Sequence, residues 1–194
     1  MRTSKRTGVL EAALRVVAQV GVTALTFESV AEESQLTKSG LMYHFPTREA
    51  LLRGIHEHLA QQWEDAMIDA AGAPAAELSE TERLTAYAQV TIASASRTEL
   101  LLMLETANDP ELHRPWQEVL DRWTPAAPAE EELSPVQLEQ VVARIAADGL
   151  WVSEALASTG LSARARQQVA TLIAERLHTA GDTVVDSDRR ALHV

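Results

Sequence analysis

Residues 26–52 read TFESVAEESQLTKSGLMYHFPTREALL, and the punctuation of this stretch decides the fold. Thr26 is a helix cap ahead of a short run carrying Phe27, Val30 and Ala31. Ser34-Gln35-Leu36 breaks that run, and Thr37 caps a second one carrying Leu41 and Phe45. Pro46 ends it, because the residue before a proline is pushed out of the helical region. Two short helices joined by a tight turn, apolar only where they must pack, describe a helix-turn-helix. The second keeps a free face at its start: Thr37, Lys38, Ser39 and Gly40. Small, polar and basic side chains at that place reach base edges in the major groove, and a glycine lets the backbone approach closely. The plainer reading, a solvated short helix, leaves Tyr43 and His44 unexplained beside a tight turn.

Working outward, Leu10, Ala13, Leu14 and Val17 share one face of a helix over about residues 7–20 that Gly21 stops. Thr47 caps a long fourth helix carrying Leu51, Leu52, Ile55, Leu59, Trp63, Met67 and Ile68, which ends at Gly72-Ala73-Pro74. Ser79 to Glu82 is a capping box for a fifth, with Leu84, Tyr87, Ala88, Thr91 and Ile92 as its core face. Leu100 to Leu104 is apolar without a break, which predicts a sixth helix buried all round. Leu112, Trp116, Val119, Leu120 and Trp123 mark a seventh that Pro115 kinks or delays. Residues 124–133 are a proline- and glutamate-rich connector, expected to be mobile. Ser134-Pro135-Val136-Gln137 opens an eighth helix to about residue 157, and Ser162 caps a ninth to about Thr179, followed by a polar tail. Aromatic residues are 4% and no period-two alternation is sustained, so no sheet is expected. The expected fold is all-α: an N-terminal three-helix helix-turn-helix domain over 1–46, and a C-terminal helical ligand-binding and dimerisation domain over 47–194.

Composition narrows the function. The 194 residues are 46% hydrophobic and 23% charged, as in a folded chain. The absence of cysteine excludes disulfides, thiolate zinc sites and cysteine nucleophiles, and suits a reducing compartment; the protein is expected in the cytoplasm. No signal-like apolar run follows Arg2, Lys5 and Arg6, and no stretch is long and apolar enough to cross a bilayer, so no membrane partner is expected. The net charge of −11 is unevenly placed. Residues 1–50 hold six Lys/Arg against five Asp/Glu, and residues 51–194 hold eleven against twenty-three. Phosphates would repel that acidic body, so DNA contact falls to the head. His56 and His58 are two apart on a helix and point to different faces, so the histidines form no metal site. No catalytic triad spacing or glycine-rich phosphate loop occurs, and neither enzyme activity nor a cofactor is expected.

Thr26, Ala31, Thr37-Lys38, Tyr43-His44-Phe45 and Arg48-Glu49-Ala50-Leu51-Leu52 together resemble the signature of the TetR/AcrR family of transcriptional regulators, over residues 7–60. The body, with Trp63, Trp116, Trp123 and Asp148-Gly149-Leu150-Trp151, further resembles actinobacterial multidrug-responsive repressors of that family. The resemblance implies that Thr26, Tyr43, His44 and Arg48 hold phosphates, while Thr37, Lys38 and Ser39 read bases of a pseudo-palindromic operator. Arg48 stands in the first turn of its helix, where a cation is disfavoured; a phosphate partner accounts for it. Gln35 replaces the glycine common in the turn, and Met42 replaces the usual aromatic and is expected to pack inward. The basic arm from Arg2 to Arg6 either enters a minor groove or is disordered.

The body carries Trp63, Trp116, Trp123 and Trp151, with Met67, Tyr87, Met103 and Leu120 on neighbouring faces. These residues are either plain core or, Trp151 aside, the walls of a pocket for flat lipophilic ligands. Buried indoles need hydrogen-bond partners in both cases. Glu105 either meets a cationic ligand there or is a helix-end carboxylate in water. Leu138, Val142, Ile145, Leu150, Val152 and Leu156, with Val169, Leu172, Ile173 and Leu177, are more apolar surface than one subunit covers, which predicts a homodimer through a four-helix bundle. Asp148 is an interface or sensor residue or caps polar groups near Gly149. The expected function is a repressor released from operator DNA by a small lipophilic, cationic aromatic effector, with the fourth helix as the link. The alternatives are a constitutive DNA binder and a helical ligand-binding protein without induction.

Overall fold

The structure is a computed structural model that describes residues 4–126 and 132–191; Arg2 of the basic arm and residues 127–131 of the connector lie outside the described residues. Among the described residues there are nine α-helices and no strand: α1 (Lys5–Val20), α2 (Phe27–Ser34), α3 (Lys38–His44), α4 (Arg48–Ala71), α5 (Glu80–Ala93), α6 (Arg97–Thr106), α7 (Pro110–Trp123), α8 (Pro135–Leu156) and α9 (Ala163–Ala191). Single 3-10 turns add Val22–Ala24 and Ala75–Glu77.

The helices start where short polar side chains satisfy the free N–H groups of a first turn. Thr26 with Ser29, Ser79 with Glu82 and Ser134 with Gln137 form reciprocal capping boxes. Thr37, Thr47 and Ser162 accept backbone N–H groups at 3.1, 3.1 and 3.2 Å. Gly21 and Gly72 stop α1 and α4 at φ 88° and 78°, in the region that glycine enters without strain.

Three elements depart from the sequence reading. Asp109 accepts the N–H groups of Glu111 and Leu112, so α7 begins at Pro110 and carries Pro115 inside it. In α6, Leu100 and Leu102 are buried but Leu104 is 63% exposed, because five consecutive residues sweep more than a full turn and only one side of this helix is covered. α9 continues past Thr179 to Ala191; polarity alone does not end a helix when no proline follows.

The chain packs as two units that do not coincide with the division at residue 46 expected from the sequence. The first holds α1 to α3, α4 through Trp63, α6, and α7 through Val119. Its core is Val9, Leu10, Ala13 and Val17 from α1, Val30 from α2, Leu41 and Phe45, and Leu51 and Ile55 from α4, all buried. Each large aliphatic or aromatic member contributes about 1.5–3 kcal/mol by leaving water. Gly54 makes this packing possible: a Cβ there would lie 2.6 Å from Cε1 of the Phe45 ring and 3.3 Å from Leu10 Cδ2. The Arg6 guanidinium lies over the same ring, 5.0 Å from its centroid.

The second unit comprises the rest of α4 and α7 with α5, α8 and α9. α5 packs on both α8 and α9, which also pack on each other. Leu84, Ala88, Ile92, Ala147, Trp151, Ala170 and Leu177 form its interior. The α8–α9 connection is held by Glu154, which accepts Leu161 N–H at 2.9 Å and pairs with Arg166 at 3.0 Å. A side chain at Gly160 would overlap the Glu154 carboxylate.

Candidate DNA interface and effector region

The turn between α2 and α3 sets how the reading face is presented. Gln35 is left-handed at φ 57°, the one non-glycine residue with positive φ among those described. Its N–H donates to Glu32 O at 3.2 Å, and Leu36 N–H donates to Ala31 O at 3.1 Å. That paired pattern closes a helix when the following residue enters the left-handed region, and Gln35 accepts the strain usually avoided with glycine.

Beyond the turn, Leu41 and Phe45 face the core and the remaining side chains of α3 do not. Thr37, Lys38 and Ser39 are exposed and Gly40 is half-buried. Gly40 also leaves room for the cap, since a Cβ would stand 3.2 Å from Thr37 Oγ1. Tyr43 is 84% exposed and meets the His44 ring edge-on at 5.3 Å. Met42 does not pack inward: it is 42% exposed, because Leu41 and Phe45, four apart, occupy the core face and Met42 lies about 100° round from Leu41. Thr26 is exposed, with its hydroxyl engaged by Ser29. Arg48 Nε donates to Leu25 O at 3.4 Å, one of five guanidinium donors, so the group is positioned with most of its donor capacity left. Thr26, Thr37, Lys38, Ser39, Gly40, Tyr43, His44 and Arg48 thus all belong to the first unit, around the turn and α3. Glu28, which sequence reading passed over, joins them through an ion pair with Lys38 at 2.5 Å.

The residues expected around an effector divide between the units. Trp63, Met103, Glu105 and Trp116 are in the first, and Met67, Tyr87, Leu120 and Trp123 in the second. In the first, Trp63 and Trp116 stand edge to face at 5.9 Å. Trp63 Nε1 donates to Glu99 Oε2 at 3.0 Å, and Trp116 Nε1 donates to His56 Nδ1 at 2.9 Å. Because Nδ1 accepts, the His56 proton is on Nε2, which faces Thr106 Oγ1 at 3.1 Å; that hydroxyl donates to Leu102 O at 2.9 Å. Burial, and secondarily the positive charge of His113, lower the His56 pKa to about 4 against a weaker opposing pull from Asp109. Burial raises the Glu99 pKa, with the Trp63 hydrogen bond acting the other way. Met103 is half-buried, whereas Glu105 is exposed at the end of α6. The carboxylate beside the tryptophans is Glu99, one position before the apolar run rather than one after it.

In the second unit Met67 and Trp123 are buried and Leu120 half-buried. Trp123 Nε1 donates to Glu64 Oε1 at 3.0 Å, and Arg122 Nε reaches both oxygens of that carboxylate at 3.1 Å. Burial pushes the Glu64 pKa up, but the Arg122 and Trp123 hydrogen bonds outweigh it and the net shift is downward. Tyr87 donates its hydroxyl to Asp148, which also pairs with Arg144 at 3.7 Å; burial and the Asp148 charge raise the phenol pKa. A surface groove of about 270 Å³ in this unit is lined by Gln89, Ile92, Ala163, Arg166 and Ala170, none of them foreseen as ligand contacts.

On α8, Leu138, Val142, Ile145, Val152 and Leu156 are all exposed, spaced alternately by four and three residues with Gly149 completing the row. Leu172 of α9 is exposed and Val169 half-buried. Ile173 does not join that surface: at 6% exposed it lies inside the unit with Ala170 and Leu177, about 100° round α9 from Leu172.

Residues 9–55 match the family of bacterial regulatory proteins named for tetR, and residues 81–178 match the tetracycline-repressor-like C-terminal domain. No curated sequence matches the chain. Solved structures similar to it include SCO7518 of Streptomyces coelicolor A3(2), a proposed transcriptional regulator, at 22% identity over 90% of this chain and 99% of that one, TM-score 0.57. The ketosteroid transcriptional regulator KstR2 of Mycobacterium tuberculosis is 18% identical over 92% and 96%, TM-score 0.57. The multidrug binding protein EbrR, complexed with malachite green, is 19% identical over 88% and 98%, TM-score 0.58. At these identities the likeness is one of fold.

Proposed function

The chain belongs to the TetR family of bacterial regulatory proteins, transcriptional regulators rather than enzymes, and from that premise we propose that it is a cytoplasmic homodimeric repressor released from operator DNA by a lipophilic, cationic aromatic compound. Residues 1–46 read DNA in this account, and residues 47–194 bind the effector and dimerise. The observation that carries it is the outward face of α3, where Thr37, Lys38, Ser39 and Tyr43 stand exposed while Leu41 and Phe45 anchor the helix. Thr37, Lys38 and Ser39 would read base edges; Tyr43, His44, Thr26 and Arg48 would hold phosphates.

The effector class rests on Trp63 and Trp116 with Glu99 beside them. A partly buried carboxylate whose pKa is raised by burial, with an indole N–H donor and no ion pair among the described residues, favours a cationic guest over an anionic one. The acidic body favours the same sign. EbrR was solved with malachite green, an aromatic cation, which makes that dye the first probe. α4 is the proposed link, a 24-residue rod of about 36 Å with Arg48 at one end and Trp63, Glu64 and Met67 toward the other.

Titration with malachite green is expected to quench tryptophan emission and to release a labelled operator duplex over the same concentrations. The dye should weaken DNA binding by about 5–150-fold, and the duplex must weaken dye binding by the same factor. Glu99→Gln should reduce the affinity for the dye without altering that for DNA. Quenching with no effect on DNA would leave a ligand-binding protein without induction, and no response to cationic, neutral or acyl aromatics would make the tryptophans plain core.

A further inference from the structure

The lysine of the recognition helix is already occupied. Lys38 Nζ lies 2.5 Å from Glu28 Oε1, across the turn between α3 and α2. The bland account of Glu28 is an acid in the first turn of α2, favoured there by the helix dipole. That account explains its presence but not its reach toward Lys38. Both side chains are more than half exposed, and an exposed pair adds little stability, so folding does not require the contact. A carboxylate on a DNA-reading face also carries a penalty against every sequence, because it meets phosphates. It is offset only where the DNA offers a donor.

The major-groove edge of a G·C pair offers one. Guanine N7 and O6 accept, and the cytosine N4 amino group beside them donates. A lysine and a carboxylate held side by side are the complement of that row. The lysine hydrogen bond holds the Glu28 carboxyl below the usual carboxylate range, so it meets DNA as an anion that only accepts. Building on the DNA-binding reading above, we propose that Glu28 is a specificity-determining residue, which together with Lys38 reads one G·C pair in each half-site. Lys38 donates to guanine N7 and O6, and Glu28 accepts from cytosine N4. At an A·T pair in the same orientation the lysine meets the adenine amino group and the carboxylate meets thymine O4, donor on donor and acceptor on acceptor. Glu28 therefore acts chiefly by rejecting wrong sequences.

The test is selection from random-sequence duplexes with the full-length wild type, Glu28→Gln, Glu28→Ala and Lys38→Ala at one salt concentration. The wild type should prefer G·C at one position per half-site by about 5–150-fold. Lys38→Ala should lose that preference, both Glu28 variants should relax it at the same position, and all three should keep the others. The Glu28 variants should also bind unrelated duplex more tightly than the wild type. Retained preferences, and equally fully retained discrimination against unrelated DNA, in the Glu28 variants would overturn the proposal, as would a changed position different from the one Lys38→Ala alters. Glu28→Gln preserves shape on an exposed site, and loss confined to one base position cannot arise from unfolding. A wild type that enriches no sequence would overturn the DNA-binding reading and this inference with it, whereas wild-type enrichment unchanged by Glu28 overturns this inference alone.

Discussion

Ile145→Glu combined with Leu156→Glu is expected to leave the protein folded but monomeric, and to weaken binding to an inverted-repeat duplex by about 100-fold or more. Linking two weak reading heads through a dimer raises affinity by roughly 10²–10⁴ without any new DNA contact, and monomers lose that gain. These two residues are 66% and 58% exposed on the α8 row and contribute nothing to the interior of their own unit, so the substitutions cost little folding energy. In a two-fold bundle the row on one α8 faces the partner's bundle, so glutamates placed in it would be buried, unpaired, in a desolvated seam. Leu172→Glu belongs in the same series, whereas Ile173→Glu does not: buried as it is, it would unfold the unit and imitate the result. Sedimentation equilibrium with circular dichroism separates these cases. Folded double variants that remain dimeric at micromolar concentration would show that α8 is not the seam.

The largest stability effect is expected at His56. Its side chain is fully buried and joins three helices by accepting from Trp116 and facing Thr106. His56→Ala leaves a cavity and strands the Trp116 N–H, a combination that costs about 3–5 kcal/mol, measurable by urea unfolding. The same residue gives the stability a pH signature. Its folded pKa is lowered to about 4 from the model-peptide value of 6.5. The unfolded chain therefore takes up the proton first, and the contribution is complete above pH 6.5 and lost as pH falls toward about 4. Over that window the slope approaches ~1.4 kcal/mol per pH unit. A His56→Leu variant should lack this component, and an unchanged slope would mean that the imidazole is solvated in the folded protein.

What the sequence disclosed and what it withheld follow from distance along the chain. Caps at Thr26, Thr37, Thr47, Ser79, Ser134 and Ser162 reach only three residues forward, so each could be read from its neighbours. The strained turn at Gln35 was equally local. The pairs that build the sites span 10 residues for Lys38–Glu28, 36 for Trp63–Glu99 and 60 for Trp116–His56, and no spacing rule connects them. Glu99 and Glu105 flank the same apolar run and look equivalent in the sequence; the packing of one side of α6 decides which of them meets an indole. Ile173 and Leu172 are adjacent and equally apolar, yet a helical step of about 100° sends one inside and the other out. The same step from Leu41 turns Met42 outward.

The most direct measurement is sedimentation and footprinting of the wild-type protein on a duplex selected from random sequence. An inverted repeat is expected, with half-sites centred about 34–36 Å apart, two protomers on each duplex and protection of both half-sites in successive major grooves. No enriched sequence, or a single protected half-site bound by one protomer at saturation, would contradict a dimeric DNA-reading regulator.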